Sequence, residues 1–141
     1  PSILYGIDTR ATEEIEILNR EIGSERIFST TGQQLTTQSV GPKILWFKRH
    51  EPALYARTAR ILSATSYLVF RLTGKYVVDY YTAPSFSPLF DLERLQWDEA
   101  MCAHGDAAGA PLGDGCGGVD YAGSRPGDGV DRGDAGNCRH H

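Results

Sequence analysis

Apolar positions recur at helical spacing in several stretches of the chain and gather into short runs between them. Over residues 12–22, TEEIEILNREI, Ile15, Leu18 and Ile22 share one face at spacings of three and four, which predicts an amphipathic helix. Thr12 is placed to cap it, Glu13 and Glu14 suit the positive end, and Gly23 suits the stop. The remaining charges read as a solvated face. Gly41-Pro42 opens a second helix, with proline in the tolerated first turn. Ile44, Leu45 and Phe47 or Trp46 supply its core face, and Lys48-Arg49-His50 sit at its end, where positive charge is favourable. Glu51-Pro52 stops it and starts another, continued by Leu54, Tyr55 and Thr58. Ile61-Leu62 reads as either a strand or a packed turn. Ser63 or Thr65 then caps a helix over residues 66–73, with Tyr67 and Phe70 as core aromatics. Gly74 follows it as a left-handed cap, since it has no Cβ to clash.

Two runs read as strands. Residues 3–7, ILYGI, form a buried-type run whose polar end carries Asp8 and Arg10. Tyr76, Val77 and Val78 suit a half-buried pleated surface and end at Asp79, Tyr80, Tyr81 and Thr82. Thr30 to Gln34 reads as a polar loop; one glycine without a following GK[ST] is no phosphate cradle. Asp91 to Glu93 starts a turn, and Trp97-Asp98-Glu99 begins a helix running through Met101. The pattern predicts an α/β segment, mostly helical with a few short strands.

Composition shifts at His104. Eleven of the 16 glycines lie in residues 104–141, a stretch with one Leu, two Val, one Tyr and no Ile, Phe, Trp or Met. Such a stretch cannot bury enough apolar area to offset chain entropy, so 104–141 is expected to be a disordered tail behind a folded unit over 1–103. Its GD pairs have no nine-residue period, which excludes a calcium-binding repeat. A Gly, Ala, Asp and Arg mixture is what GC-rich DNA gives when read out of frame. This composition suggests a truncated or frameshifted gene product, and Pro1 is not expected to be an ordinary translation start.

The net charge of −4 is mild, and no basic stripe points to nucleic acid. No apolar run is long enough to cross a bilayer. Cys102, Cys116 and Cys138 are odd in number and form no CxxC pair, which argues against a disulfide framework or zinc site and for a cytoplasmic chain with reduced thiols. His50 reads as a helix-end residue, since no second ligand lies near it. Asp8 and Arg10 read either as a substrate or cleft contact or as a local ion pair opening the next helix. Asp79 and Tyr80 stand where α/β proteins place ligand contacts, at a strand end, or else in a solvated turn.

The ordered run RLTGKYVVDYYTAPSFSPLFD, residues 71–91, resembles a segment of the FGGY family of carbohydrate kinases, which includes xylulokinase, ribulokinase and glycerol kinase. Three further segments are similar to that family in the same order: ILYGIDTRA, STTGQQLTTQSVGPKILWFKRHEP and FDLERLQWDEAM. The resemblance covers about residues 2–103 and implies part of a ribonuclease-H-like, actin-like ATPase domain. It implies transfer of the γ-phosphoryl of ATP to a sugar or polyol hydroxyl, with Mg2+ and a xylulose-like sugar favoured. By the same resemblance Asp8 and Arg10 match the aromatic-x-D-x-R segment near the cleft. Tyr80 matches a tyrosine that contacts the polyol in glycerol kinases, and Asp79 precedes it. The family's glycine-rich phosphate cradle and catalytic Asp segments have no match here, so no catalytic residue is assigned. The chain alone is expected to be inactive, to lack the ATP and Mg2+ site, and to supply part of the sugar side of a cleft. Unpaired strands make self-association an expectation. The competing reading is a non-catalytic helical interaction module.

Overall fold

The computed structural model describes residues 7–104 together with Asp120 and Tyr121. Helix α1 is Thr12–Leu18, and it passes through a wide π turn, Asn19–Gly23, directly into α2, Ser24–Thr31. The long helix α3, Val40–His50, is followed by the single turn α4, Pro52–Tyr55, and by α5, Ala64–Thr73. The short strand β1, Val77–Val78, leads through a 3-10 turn, Ala83–Phe86, to the strands β2, Phe90–Asp91, and β3, Gln96–Trp97. Helix α6, Glu99–His104, comes next, and β4 is Asp120–Tyr121. Strand β2 pairs antiparallel with β3, Phe90 opposite Trp97, and β1 pairs in parallel with β4, Val77 opposite Asp120. The α/β segment is thus mostly helical with short strands, as the pattern predicts.

Several local expectations are corrected. Ala11, not Thr12, is the N-cap of α1, and the Thr12 hydroxyl donates instead to the Thr9 carbonyl at 2.8 Å. Gly23 does take a positive φ of 94°, but the chain turns there and immediately re-enters a helix. Helix α2 went unread because its sequence, SERIFSTT, buries only Ile27 and Thr31. It takes in Thr30 and Thr31 from the expected polar loop and ends at Gly32 in the left-handed conformation. Trp97 does not open a helix. It pairs in β3, and Asp98 caps α6 by accepting from the Met101 N–H at 3.0 Å. The helix from Ser63 is as read: the Ser63 hydroxyl accepts from the Ser66 N–H at 3.1 Å, and Gly74 closes it at φ 72°. Tyr67, however, is exposed rather than core, and Phe70 is half-buried, stacked on Tyr76 with ring centroids 4.4 Å apart.

Among the described residues the apolar interior is three adjoining clusters. Leu18, Ile22, Ile27, Leu35, Leu45 and Met101 form the first. Ile44, Phe47, Tyr55, Phe86, Leu89 and Cys102 form the second, and Val78, Ala83 and Phe90 the third. Trp97 joins the last two, edge-on to Phe86 at 5.5 Å and to Phe90 at 5.4 Å. Polar contacts hold the segment after β1 against the first two clusters. Gln33 Nε2 donates to the Pro84 carbonyl at 2.8 Å, and the Ser87 hydroxyl donates to Thr31 Oγ1 at 3.2 Å. The Gly41 N–H donates to the Ser87 carbonyl at 3.2 Å. A Cβ at Gly41 would strike that carbonyl and lie 2.7 Å from Pro88 Cδ, so only glycine permits this approach.

Two expectations fall largely outside the described residues. The strand over 3–7 is one; Ile7, its last residue, lies in a turn and is exposed. The disordered tail is the other; within it Asp120 and Tyr121 pair with β1.

Candidate sugar-side site

The segment before α1 is folded tightly on itself and then against α3. Asp8 is buried, and its Oδ1 accepts from Arg10 Nε at 2.8 Å and from the Arg10 N–H at 3.3 Å. Its second oxygen, Oδ2, is buried without a hydrogen-bond partner. Burial pushes the Asp8 carboxyl up, but the two Arg10 hydrogen bonds, the Arg10 charge and the Lys43 charge outweigh it and hold it below the ordinary carboxylate value. The Arg10 guanidinium lies over the Trp46 ring, 4.6 Å from its centroid, while its side chain stays 46% exposed. The sequence reading left open an ion pair or a cleft contact. The ion pair is present, and it spends only one oxygen of Asp8.

Helix α3 presents this surface because Lys43, Trp46 and His50 recur at spacings of three and four along it. His50 stacks on Trp46 with centroids 4.5 Å apart, and its Nδ1 is 3.0 Å from the Trp46 carbonyl oxygen, which fits the helix-end reading. Arg49 donates through Nη1 to Glu14 and through Nη2 to Glu13 at 2.8 Å. The Glu14 side chain is fully buried, which corrects the reading of the α1 charges as a solvated face. Glu13, by contrast, is exposed; Arg49 lowers its carboxyl first by hydrogen bonding and then by charge.

Asp79 and Tyr80 belong to a separate arrangement after β1. Asp79 Oδ1 accepts from the Tyr81 N–H at 3.0 Å and the Thr82 N–H at 2.8 Å, so the carboxylate closes the turn that begins the 3-10 segment. Its carboxyl is held below the ordinary value, above all by the Thr82 side chain, against the opposing pull of burial. Tyr80 is half-buried against Val78, Ala83 and Phe90, and Tyr81 is exposed. The structure therefore joins Asp8 to Arg10 directly and anchors them on α3, while Asp79 and Tyr80 are anchored on their own turn. Lys43 and Trp46, which meet the Asp8–Arg10 pair, are not among the expected site residues; Trp46 is expected only as an alternative core-face residue. Their signal was legible as a polar-aromatic face at spacing three on a helix otherwise chosen for its apolar side.

Among the described residues, no group of three or more His, Cys, Asp or Glu is placed to hold a metal ion. Four carboxylates each give one oxygen to a protein partner: Asp8 to Arg10, Glu14 to Arg49, and Asp79 and Asp91 to turn N–H groups.

The model of the FGGY family of carbohydrate kinases, N-terminal domain, matches residues 2–112. The chain belongs to the FGGY family. It is 32% identical over 103 residues to the xylulose kinase of Klebsiella pneumoniae, covering 73% of this chain and 20% of that protein. It is 34% identical over 100 residues to the glycerol kinase of Nocardia farcinica, covering 68% and 20%. Among solved structures, the xylulose kinase of Rhodospirillum rubrum superposes with a TM-score of 0.63 at 31% identity, over 68% of this chain and 20% of that one. The chain thus spans about a fifth of the length of the FGGY relatives it matches. Among the described residues, no helix of this FGGY segment is long and apolar enough to cross a membrane.

Proposed function

We propose that the chain is the part of an ATP-dependent carbohydrate kinase that lines the sugar side of the cleft, with a xylulose-like sugar as the acceptor. The reaction would move the γ-phosphoryl of ATP to a sugar hydroxyl in the cytoplasm. One observation carries the placement: Asp8 is a buried carboxylate with Oδ1 held by Arg10 and Oδ2 unpartnered. Buried polar atoms are nearly always satisfied, so a buried acceptor left open beside a half-exposed guanidinium suits a ligand hydroxyl. A sugar hydroxyl donates to such an oxygen and accepts from Arg10. Tyr80 would present its phenol to the same substrate, with Asp79 holding the turn that carries it. Xylulose is favoured by the kinship to xylulose kinases.

In this reading the chain alone is inactive, because its sequence has no match to the family's glycine-rich phosphate cradle or catalytic Asp segment. Phosphoryl transfer depends almost wholly on positioning and on stabilising charge around the phosphates, and the residues here address only the acceptor. Isotope-labelled chain titrated with D-xylulose should show saturable shifts at Asp8 and Arg10 that vanish in Asp8→Asn. The same mixture with ATP and Mg2+ should release no ADP above background. Shifts that persist unchanged in Asp8→Asn, or no shifts at all, would remove the sugar-side assignment, and ADP release would overturn the inactivity. A helical interaction module stays as the second reading, because Tyr67, Leu68 and Leu72 expose an apolar stretch of α5.

A further inference from the structure

The N-terminal segment meets α3 through a ladder of unlike contacts. The Lys43 charge acts on Asp8, Arg10 lies over Trp46, and Glu14 takes Arg49, with His50 Nδ1 4.0 Å from the same carboxylate oxygen. The α3 partners run 43, 46, 49 and 50, and their counterparts run 8, 10 and 14, in the same order. Short local bonds make the N-terminal side stiff. The Arg10 N–H donates to Asp8, the Thr12 hydroxyl to Thr9, and the Ile15 N–H to the Ala11 carbonyl at 3.1 Å. A displacement at Glu14 is therefore passed back to Asp8 rather than absorbed between them.

We infer that Arg49 is a positioning residue for Asp8: its ion pair with the buried Glu14 holds the start of α1 on the end of α3 and so sets Arg10 over Trp46 and, through the Arg10–Asp8 ion pair, fixes Asp8. This rests on the reading of Asp8 as the sugar acceptor and names what aims it. Glu14 can supply this hold because its side chain is wholly buried and its Oε1 accepts from Arg49 Nη1, while Oε2 has no hydrogen-bond partner. A buried carboxylate that loses its paired arginine is strongly unfavourable, so the pair resists exchange with solvent. Glu13, exposed on the same guanidinium, shares Arg49 but does not anchor it.

Carboxyl titrations followed by NMR on the whole chain test this. Arg49→Gln would strand Glu14 and could prevent folding, so the decisive variant is Glu14→Gln with Arg49→Gln, which removes both charges and keeps amides in place. In that variant the Asp8 carboxyl should titrate higher than in the parent, and the Arg10 side-chain resonances should lose the ring-current shift from Trp46. Asp79, held by its own turn, should titrate as before. Arg49→Lys should fall between the two, since an ammonium keeps the charge but not the two-pronged contact. An Asp8 titration unchanged in the folded double variant would overturn the inference. So would Asp79 moving together with Asp8, which would mean that the pair only stabilises the fold. D-xylulose added to the parent chain separates the two ideas: no response removes the sugar reading and leaves the ladder to be judged by Asp8 alone.

Discussion

Asp8 and Glu14 are both buried carboxylates paired with arginine, yet only one was legible. Asp8 follows an apolar run and precedes Arg10, a pattern that invites a functional reading. Glu14 sits beside Glu13 in the first turn of a helix, where acidic residues are favourable for a generic reason. Its burial was nevertheless encoded: Glu14, Leu18 and Ile22 recur at spacings of four, so Glu14 lies on the buried stripe itself. The apolar count passed over it because it is charged. Pairing with Arg49 makes that position tenable, and Arg49 is 35 residues away in sequence. The depressed carboxyls fix a pH dependence. Asp8 and Asp79 both have folded values below their unfolded ones. Their stabilising contribution is then fully present above the ordinary carboxylate range, about pH 4, and is lost as pH falls through the lower folded values. Denaturant midpoints measured from pH 7 downward should hold steady to about pH 5 and then drop. Asp8→Asn should flatten part of that drop. An equal acid slope in parent and variant would show that Asp8 is not among the groups responsible.

At the scale of elements, helices with a strong local signal were readable and those held by distant contacts were not. Helix α5 carries its own start and stop in Ser63 and Gly74, and its position matched to within two residues. Helix α2 has no apolar stripe of its own; Ile27 and Thr31 are its only buried residues, and Thr31 is satisfied by the Ile27 carbonyl and by Ser87. The turn of the β2–β3 hairpin is read at Asp91 to Glu93, and Asp91 Oδ1 accepts from the N–H groups of Glu93 and Arg94 at 2.8 Å each, but its strands are two residues long and carry no periodicity of their own. An aspartate before a Trp-Asp-Glu run looked like the approach to a helix. Dependence on local signals has a consequence for α5. Apart from Ser66 the helix buries no residue, so its cap supplies a larger share of its stability than is usual. Ser63→Ala should cost about 1 kcal/mol. The loss should appear as faster amide exchange across residues 64–70, with little change in α3. Uniform acceleration in both helices would mean that α5 is held by the rest of the molecule after all.

The family was legible over most of the chain because four segments kept their order, whereas the cohesion of the molecule could not be read from them. Motifs preserve what touches the ligand or closes a turn; they do not show whether the faces between them are covered. The described structure has three modest clusters rather than one deep core, tied together through Trp97 and a few polar contacts around Ser87. Helix α5 leaves Tyr67, Leu68 and Leu72 exposed, the last at 85%. Strand β1 is two residues long and its described pairing is with Asp120 and Tyr121. Short strands and helices draw most of their stability from what packs on them, and here much of α5 has no described cover. Exposed apolar residues of this size, on a helix with Arg71 as its one charge, also favour association between copies. The chain should therefore keep its helices but melt broadly, with weak near-ultraviolet signal from Trp46 and Trp97 and a tendency to self-associate on warming. Calorimetry and light scattering on dilute chain would check this, and Leu68→Glu with Leu72→Glu should suppress the association without reducing helix content. A sharp, concentration-independent melt of a monomer with strong aromatic dichroism would establish a self-sufficient domain. It would shift the balance from a kinase segment that needs the remainder of its fold toward a helical module that acts alone.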